Sequence, residues 1–321
     1  MKIKNFLSYI KNILIEKNRQ YSSKLHPGDT VEVRSLREII STLDKSSTVE
    51  GLLFIPEMQK YCGKNFEVKK IINKIIIEGA GLIRYMKNTV ILKDVTCDGE
   101  AHENCGRNCP LLWKEIWLKR PEKKSKKRET VNDISYINHL NNINITHSNI
   151  IKCQSTNLVN ATSPLHIWDI RKYIWDITGK TYTPIERIRT IMISLFLKIF
   201  KLVSSKRYPI IHGKLRKTTS AQLNLQKGDI VEVKSKKEIL ATLDITGRNK
   251  GLEFTPEMLK FCGNRFRVLK RLDKMINEIT GEMQHLSNTV ILEGATCDGK
   301  AHGGCQRNCY CFWREIWLKK I

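Results

Sequence analysis

Apolar and polar positions alternate in short runs along this chain, and the runs come in matched pairs. After Gly28-Asp29, Val31 and Val33 fall on one side of an extended segment, as a half-buried strand requires. Ser35 and Glu38 have capping-box spacing, so a short helix follows. Pro56 at a first helical position and Gly63 just after Cys62 bound a second short helix. Residues 65–72 read as a strand that lengthens into something helical, and 88–92 as a strand. The same order returns from Gly228 onward, with Ser235 and Glu238, Pro256 and Gly263, 265–272 and 288–292.

The offset between the two sets is constant at 200 positions. "GDTVEVRSLREIISTLD" at 28–44 returns as "GDIVEVKSKKEILATLD", and "WKEIWLK" at 113–119 as "WREIWLK". Two copies make a tandem module or an intramolecular pseudo-dimer, not a solenoid. The expected fold is α+β: a duplicated small module of SH3-like-barrel type, each with a Cys/His metal loop, joined by a basic linker and helices. The expected divisions are an amphipathic basic helix at 1–24, module 1 at 25–120, a linker at 121–224 and module 2 at 225–321. Within the linker, Thr183, Pro184 and Glu186 start an amphipathic helix at about 184–203. Ser194, Lys198, Lys201 and Ser205 form its polar stripe. It suits burial between the modules, or lying in a membrane interface. Trp168 and Trp175, seven apart, share a helical face.

The candidate chemistry lies in "CDGEAHENCGRNC" at 97–109 and "CDGKAHGGCQRNC" at 297–309. Each loop carries three thiols and one imidazole, with Gly and Asn between them for tight turns. Zinc takes about four N/S ligands in a tetrahedron. The expected ligands are Cys97, His102, Cys105 and Cys109, then Cys297, His302, Cys305 and Cys309, for two zinc ions per chain. Cys62 and Cys262, at the ends of the Pro-Glu-Met helices, are alternatives for the fourth position. An all-thiolate set would suit an iron–sulfur cluster, the less favoured cofactor. Cys153 and Cys311 have no counterpart in the other copy. Glu57, Glu257, Asp98 and Asp298 recur; acid/base roles are one reading, and helix-start and turn roles account for them more simply. Trp113, Trp117, Trp313 and Trp317 are read as core, with an exposed stacking platform as the alternative.

Charge widens the choice of partner more than it narrows it. The 321-residue chain has a formal net charge of +24, which favours anionic partners: nucleic acid, acidic headgroups or an acidic protein. Lys loading of the surface accounts for the same charge with no partner at all. No small-residue cleavage site follows the N-terminal apolar run, and no apolar run reaches membrane-spanning length. The expected location is therefore cytoplasmic, with peripheral membrane contact as an option. There the ten cysteines read as metal ligands before disulfides.

Together, "GDxVEVxSxxEIxxTLD", "PEMxxxCG", "CDGxAHxxC" and "WxEIWLK" resemble a family of bacterial proteins of about this length and likewise doubled. That family is associated with gene neighbourhoods for surface-sugar or secondary-metabolite synthesis. The resemblance covers most of 25–321 and implies a two-module cytosolic protein with no assigned activity. One departure is that Lys74 and Lys274 are not followed by Cys, where relatives carry a thiol in the first module.

No phosphate-binding Gly loop, nucleophile elbow or Ser/His/Asp set is present. The expected function is a non-enzymatic, zinc-stabilised tandem-module scaffold or accessory protein, with the cytoplasmic membrane face of a biosynthetic system as one place of action. The alternatives are a nucleic-acid-binding protein using its basic surface and Trp platforms, and an enzyme using Cys153 or metal-dependent chemistry. No small-molecule substrate is identified.

Overall fold

The computed structural model describes residues 25–77, 83–121, 151–166, 169, 171–178, 185, 188 and 211–321. The expected helix at 1–24, most of that at 184–203, the basic stretch after Pro121 and Trp168 lie outside the described residues.

The fold is sheet-rich α+β, with two sheet modules, here called lobes, and few helices. Lobe 1 runs through β1 (Thr30–Val33), α1 (Leu36–Ile40), the hairpin β2 (Thr48–Val49) and β3 (Leu52–Leu53), and a 3-10 turn at Pro56–Tyr61. It continues with β4 (Asn65–Ile76), β5 (Ile83–Thr96), β6 (Pro110–Lys114) and β7 (Leu118–Lys119). The connector contributes β8 (Ser163–Pro164) and α2 (Arg171–Thr178). Lobe 2 repeats the order with β9 (Ile230–Val233), α3 (Lys236–Leu240), β10 (Arg248–Asn249), β11 (Leu252–Glu253) and a 3-10 turn at Pro256–Phe261. It then forms β12 (Arg265–Arg271), β13 (Lys274–Ile276), β14 (Met283–His285), β15 (Thr289–Thr296), β16 (Tyr310–Arg314) and β17 (Leu318–Lys320).

Lobe 1 has strand order β6-β5-β4-β1-β7, with β8 added against β5; lobe 2 has β16-β15-β12-β9-β17. All these pairings are antiparallel. In each lobe the chain passes from one edge strand to the other through a single 3-10 turn, Glu115–Trp117 or Glu315–Trp317. So short a connection requires the sheet to curl around its core. The expected helical extension after residue 72 does not form: β4 continues as strand to Ile76. Its residues are strongly β-branched, and cross-strand pairing with β5 rewards that.

The four Trp residues of the repeat are fully buried, which settles their role as core and removes the stacking platform. The indole N–H groups of Trp117 and Trp317 donate to Thr42 Oγ1 and Thr242 Oγ1, at 3.2 and 3.0 Å. Phe54 and Phe254 meet those rings edge-on, with centroids 5.5 and 5.3 Å apart. Both predicted capping boxes form at Ser35 and Ser235.

Part of the expected linker is built into the fold. Gln154 is buried, donates to Leu53 O and Leu112 O, and accepts from Leu112 N. It thereby serves the backbone of β6 as a neighbouring strand would. Trp175 on α2 stacks on Tyr85 of β5, with centroids 5.0 Å apart.

The lobes meet through reciprocal backbone contacts. Gly106 N donates to Lys274 O at 2.8 Å, and Gln306 N donates to Lys74 O at 3.0 Å. Ile276 N donates to Cys105 Sγ, and Ile76 N to Cys305 Sγ, both at 3.4 Å. Each metal-loop segment thus leans on the long-hairpin strand of the other lobe. Arg107 and Arg307 both pair with buried Glu278.

Candidate metal centre

The metal loop starts where β5 ends. Cys97 N donates to Cys109 O at 2.8 Å and closes the loop; Cys297 and Cys309 repeat this. The chain then turns at Gly99, whose φ is 83°, into the single 3-10 turn Glu100–His102. A Cβ on Gly99 would lie 2.1 Å from Cys105 O, and one on Gly299 1.9 Å from Cys305 O. Only glycine allows that approach with that backbone. Asp98 and Asp298 keep their turn role, accepting from the N–H two residues on and pairing with Lys60 and Lys260. Those contacts hold both carboxyls below the usual Asp range against the upward pull of burial.

The geometry brings a third kind of ligand to the Cys and His. Glu57 Oε1 lies 2.5 Å from His102 Nδ1 and 3.7 Å from Cys97 Sγ; His102 Nδ1 is 3.9 Å from Cys97 Sγ. In lobe 2, Glu257 Oε1 lies 3.0 Å from His302 Nε2 and 3.3 Å from Cys297 Sγ. Within each trio one ligand atom per residue lies within 4.8 Å of the others, as binding one metal ion requires. The reading of Glu57 and Glu257 as helix-start residues is therefore incomplete. They do open a 3-10 turn after Pro56 and Pro256, but their carboxylates are buried and face the thiol and imidazole. A Glu just after Pro is ordinary at a helix start, so nothing local to the sequence marks it as a ligand.

The donors suit a divalent cation. Thiolate, imidazole and carboxylate are all zinc ligands. Glu57 Oε2 and Glu257 Oε2 are buried without a hydrogen-bond partner, a costly arrangement that a cation beside the carboxylates would offset. Burial first, then the Glu57 and Glu257 carboxylates, push the Cys97 and Cys297 thiols far above the usual range. Without metal these thiols stay protonated at neutral pH, and binding a cation would release the protons.

The other expected ligands lie outside the two trios. Cys105 and Cys305 accept backbone N–H groups of the opposite lobe. Cys109 Sγ is 3.5 Å from Ser155 Oγ. Cys309 is pushed up to about 12 by burial, with Arg307 pulling the other way. Cys62 and Cys262 pack against the cores of their lobes, and Cys62 Sγ is 3.9 Å from Met58 O.

In lobe 1, a cavity of about 30 Å³ adjoins the trio; Cys97, His102, Cys105, Cys109, Cys153 and Arg307 are among its lining. The lobes differ in access: the His102 side chain is 1% exposed and that of His302 is 42% exposed. Compared with known proteins, the chain matches no family model, no curated protein and no solved structure.

Proposed function

We propose that this chain is a metal-stabilised, two-lobed scaffold, with one zinc ion per lobe and no catalytic role for either ion. The observation that carries the reading is the pair of Glu/Cys/His trios with unpartnered carboxylate oxygens. Each trio ties the Pro-Glu-Met turn to the end of a long strand, so a cation there would brace two distant parts of one lobe. Closure of His102 from solvent favours a structural ion in lobe 1, since catalytic zinc keeps an open, accessible position; lobe 2, where His302 is 42% exposed, is read as structural because it repeats the same trio. We read each lobe as an SH3-like barrel, supported by the five-strand order and the 3-10 turn joining the edge strands.

The scaffold's partner is proposed to be an acidic protein or an anionic membrane surface, on the strength of the +24 charge. The nucleic-acid reading keeps only that charge, because the tryptophans of the repeat are inside the lobes.

Metal analysis of the purified chain tests the central claim. Two zinc ions per chain are expected, with Cys97→Ser and Cys297→Ser each losing one. A folded protein with no bound metal overturns the reading.

A further inference from the structure

The lobes differ in one charge where their geometry otherwise repeats. Lys114 ends β6 opposite Thr89, and Arg314 ends β16 opposite Thr289. Both side chains are buried. Lys114 Nζ donates to Lys87 O and Arg314 Nη1 to Ser287 O, each at 2.7 Å. Glu50 and Lys250 take the same left-handed backbone, with φ of 48° and 47°, and so do Asn88 and Asn288, with 47° and 48°.

In lobe 1 this frame holds a carboxylate. Glu50 Oε2 accepts from Lys114 Nζ at 2.8 Å, and Glu50 Oε1 from Asn88 Nδ2 at 3.1 Å. The Lys114 side chain is 1% exposed and that of Glu50 38%, so the acid lies on the solvent side of a covered cation. Burial pulls the Lys114 ammonium down, and Glu50 opposes that pull.

In lobe 2 the acid is replaced by Lys250, and the covered cation stays. Arg314 donates to Asn249 O, Lys250 O, Ser287 O and Thr289 Oγ1, all neutral acceptors. One hydrogen of Nη2 is left over. Among the described residues no carboxylate pairs with Arg314, and no side-chain bond engages the Asn288 amide. Burial pulls the Arg314 guanidinium below its ordinary value with no acid to oppose it. A covered cation without a counter-charge is costly.

We propose that Arg314 and Asn288, flanked by Lys250, bind a carboxylate supplied from outside lobe 2, at the place where lobe 1 carries its own Glu50. Arg314 supplies one charge-assisted hydrogen bond and the Asn288 amide another, as Lys114 and Asn88 do for Glu50. Lys250, which is exposed, adds long-range attraction. The chemistry fits a free small carboxylate or an acidic side chain of a protein partner. The inference rests on neither the metal centres nor the overall charge.

NMR of the full chain, with the Asn288 side-chain amide and the Lys250 N–H assigned, tests this by titration with sodium acetate against sodium chloride at equal ionic strength. A saturable shift of both signals with acetate alone is expected. Lys250→Glu installs the residue of lobe 1 at an exposed position, so that chain fills its own site and should lose the acetate response. A blocked oligoglutamate peptide forms a second arm. Tighter binding than acetate at equal carboxylate concentration assigns the site to a partner's acidic side chain. Equal or weaker binding assigns it to a free carboxylate, and both results support the proposal. Signals that stay still in both arms, or move as far with chloride, overturn it. So does a folded Lys250→Glu chain that keeps the parent's response. If that variant does not fold, the parent's difference between acetate and chloride decides.

Discussion

Glu57 and Glu257 follow a proline at the start of a 3-10 turn, where a carboxylate ordinarily faces the free N–H groups at the helix start. Here the side chains turn inward, and one oxygen of each is left unpartnered. Glu57→Gln keeps the shape and removes the charge. Under the proposed zinc centres, zinc content measured by mass spectrometry should drop from two per chain to one, and retention of both would remove Glu57 from the ligand set. A second residue-scale test concerns Glu238. The Ser235 hydroxyl and N–H, then Lys319, hold its carboxyl down to about 2, against an ordinary 4.5. The folded state therefore binds fewer protons than the unfolded chain between those values. The stabilisation is complete above about 4.5 and lost as pH falls through about 2. Ser235→Ala should raise the Glu238 value in an NMR titration and shrink that acid-sensitive window. An unchanged titration would deny the capping box its part.

Elements differ in how much their local sequence specifies. Ser35 and Glu38 announce α1, and the capping box forms as the spacing requires. Asn65–Ile76 is harder: its apolar pattern past residue 72 suits either a helix or a strand, and pairing with β5 decides for the strand. Trp113 and Trp117 are four apart, as on a helix, yet they lie on a strand and in the following 3-10 turn. The metal loop is the element most tightly bound to its glycines. Gly99→Ala would force a Cβ to within 2.1 Å of Cys105 O at a φ of 83°. A loss of about 1–3 kcal/mol is expected from such strain. Denaturant unfolding measures it, and a midpoint equal to the parent's would show that the loop relaxes freely.

At the scale of the whole molecule, the Cys/His loops at 97–109 and 297–309 each contact the other lobe. Glu278 is buried between Arg107 and Arg307, one from each lobe, and Arg307 also donates to Ser155 of the connector. Burial and the Glu278 carboxylate act oppositely on Arg307, and the carboxylate wins, holding its pKa well above the ordinary value. Removing one partner from such a cluster leaves an uncompensated buried charge, at a cost of about 3–5 kcal/mol. Glu278→Ala should therefore split thermal unfolding by calorimetry into two transitions, one per lobe. One transition at the parent's temperature would mean the cluster does not hold the lobes together.

Spacing and periodicity by themselves determined the doubled order of elements, the capping boxes and the turn glycines, because these depend on neighbours within a few residues. They also placed Cys97 with His102 and Cys297 with His302, five positions apart in each loop. Tertiary structure decided what lies far apart in the chain. It brought Glu57 across 40 positions to Cys97, and turned Cys105 and Cys305 to the opposite lobe's backbone. It also drew Gln154 out of an expected linker into the edge of lobe 1. The physical reason is the same in each case. A local pattern fixes which face a residue takes, while the partner on that face is chosen by how the sheets close and pack.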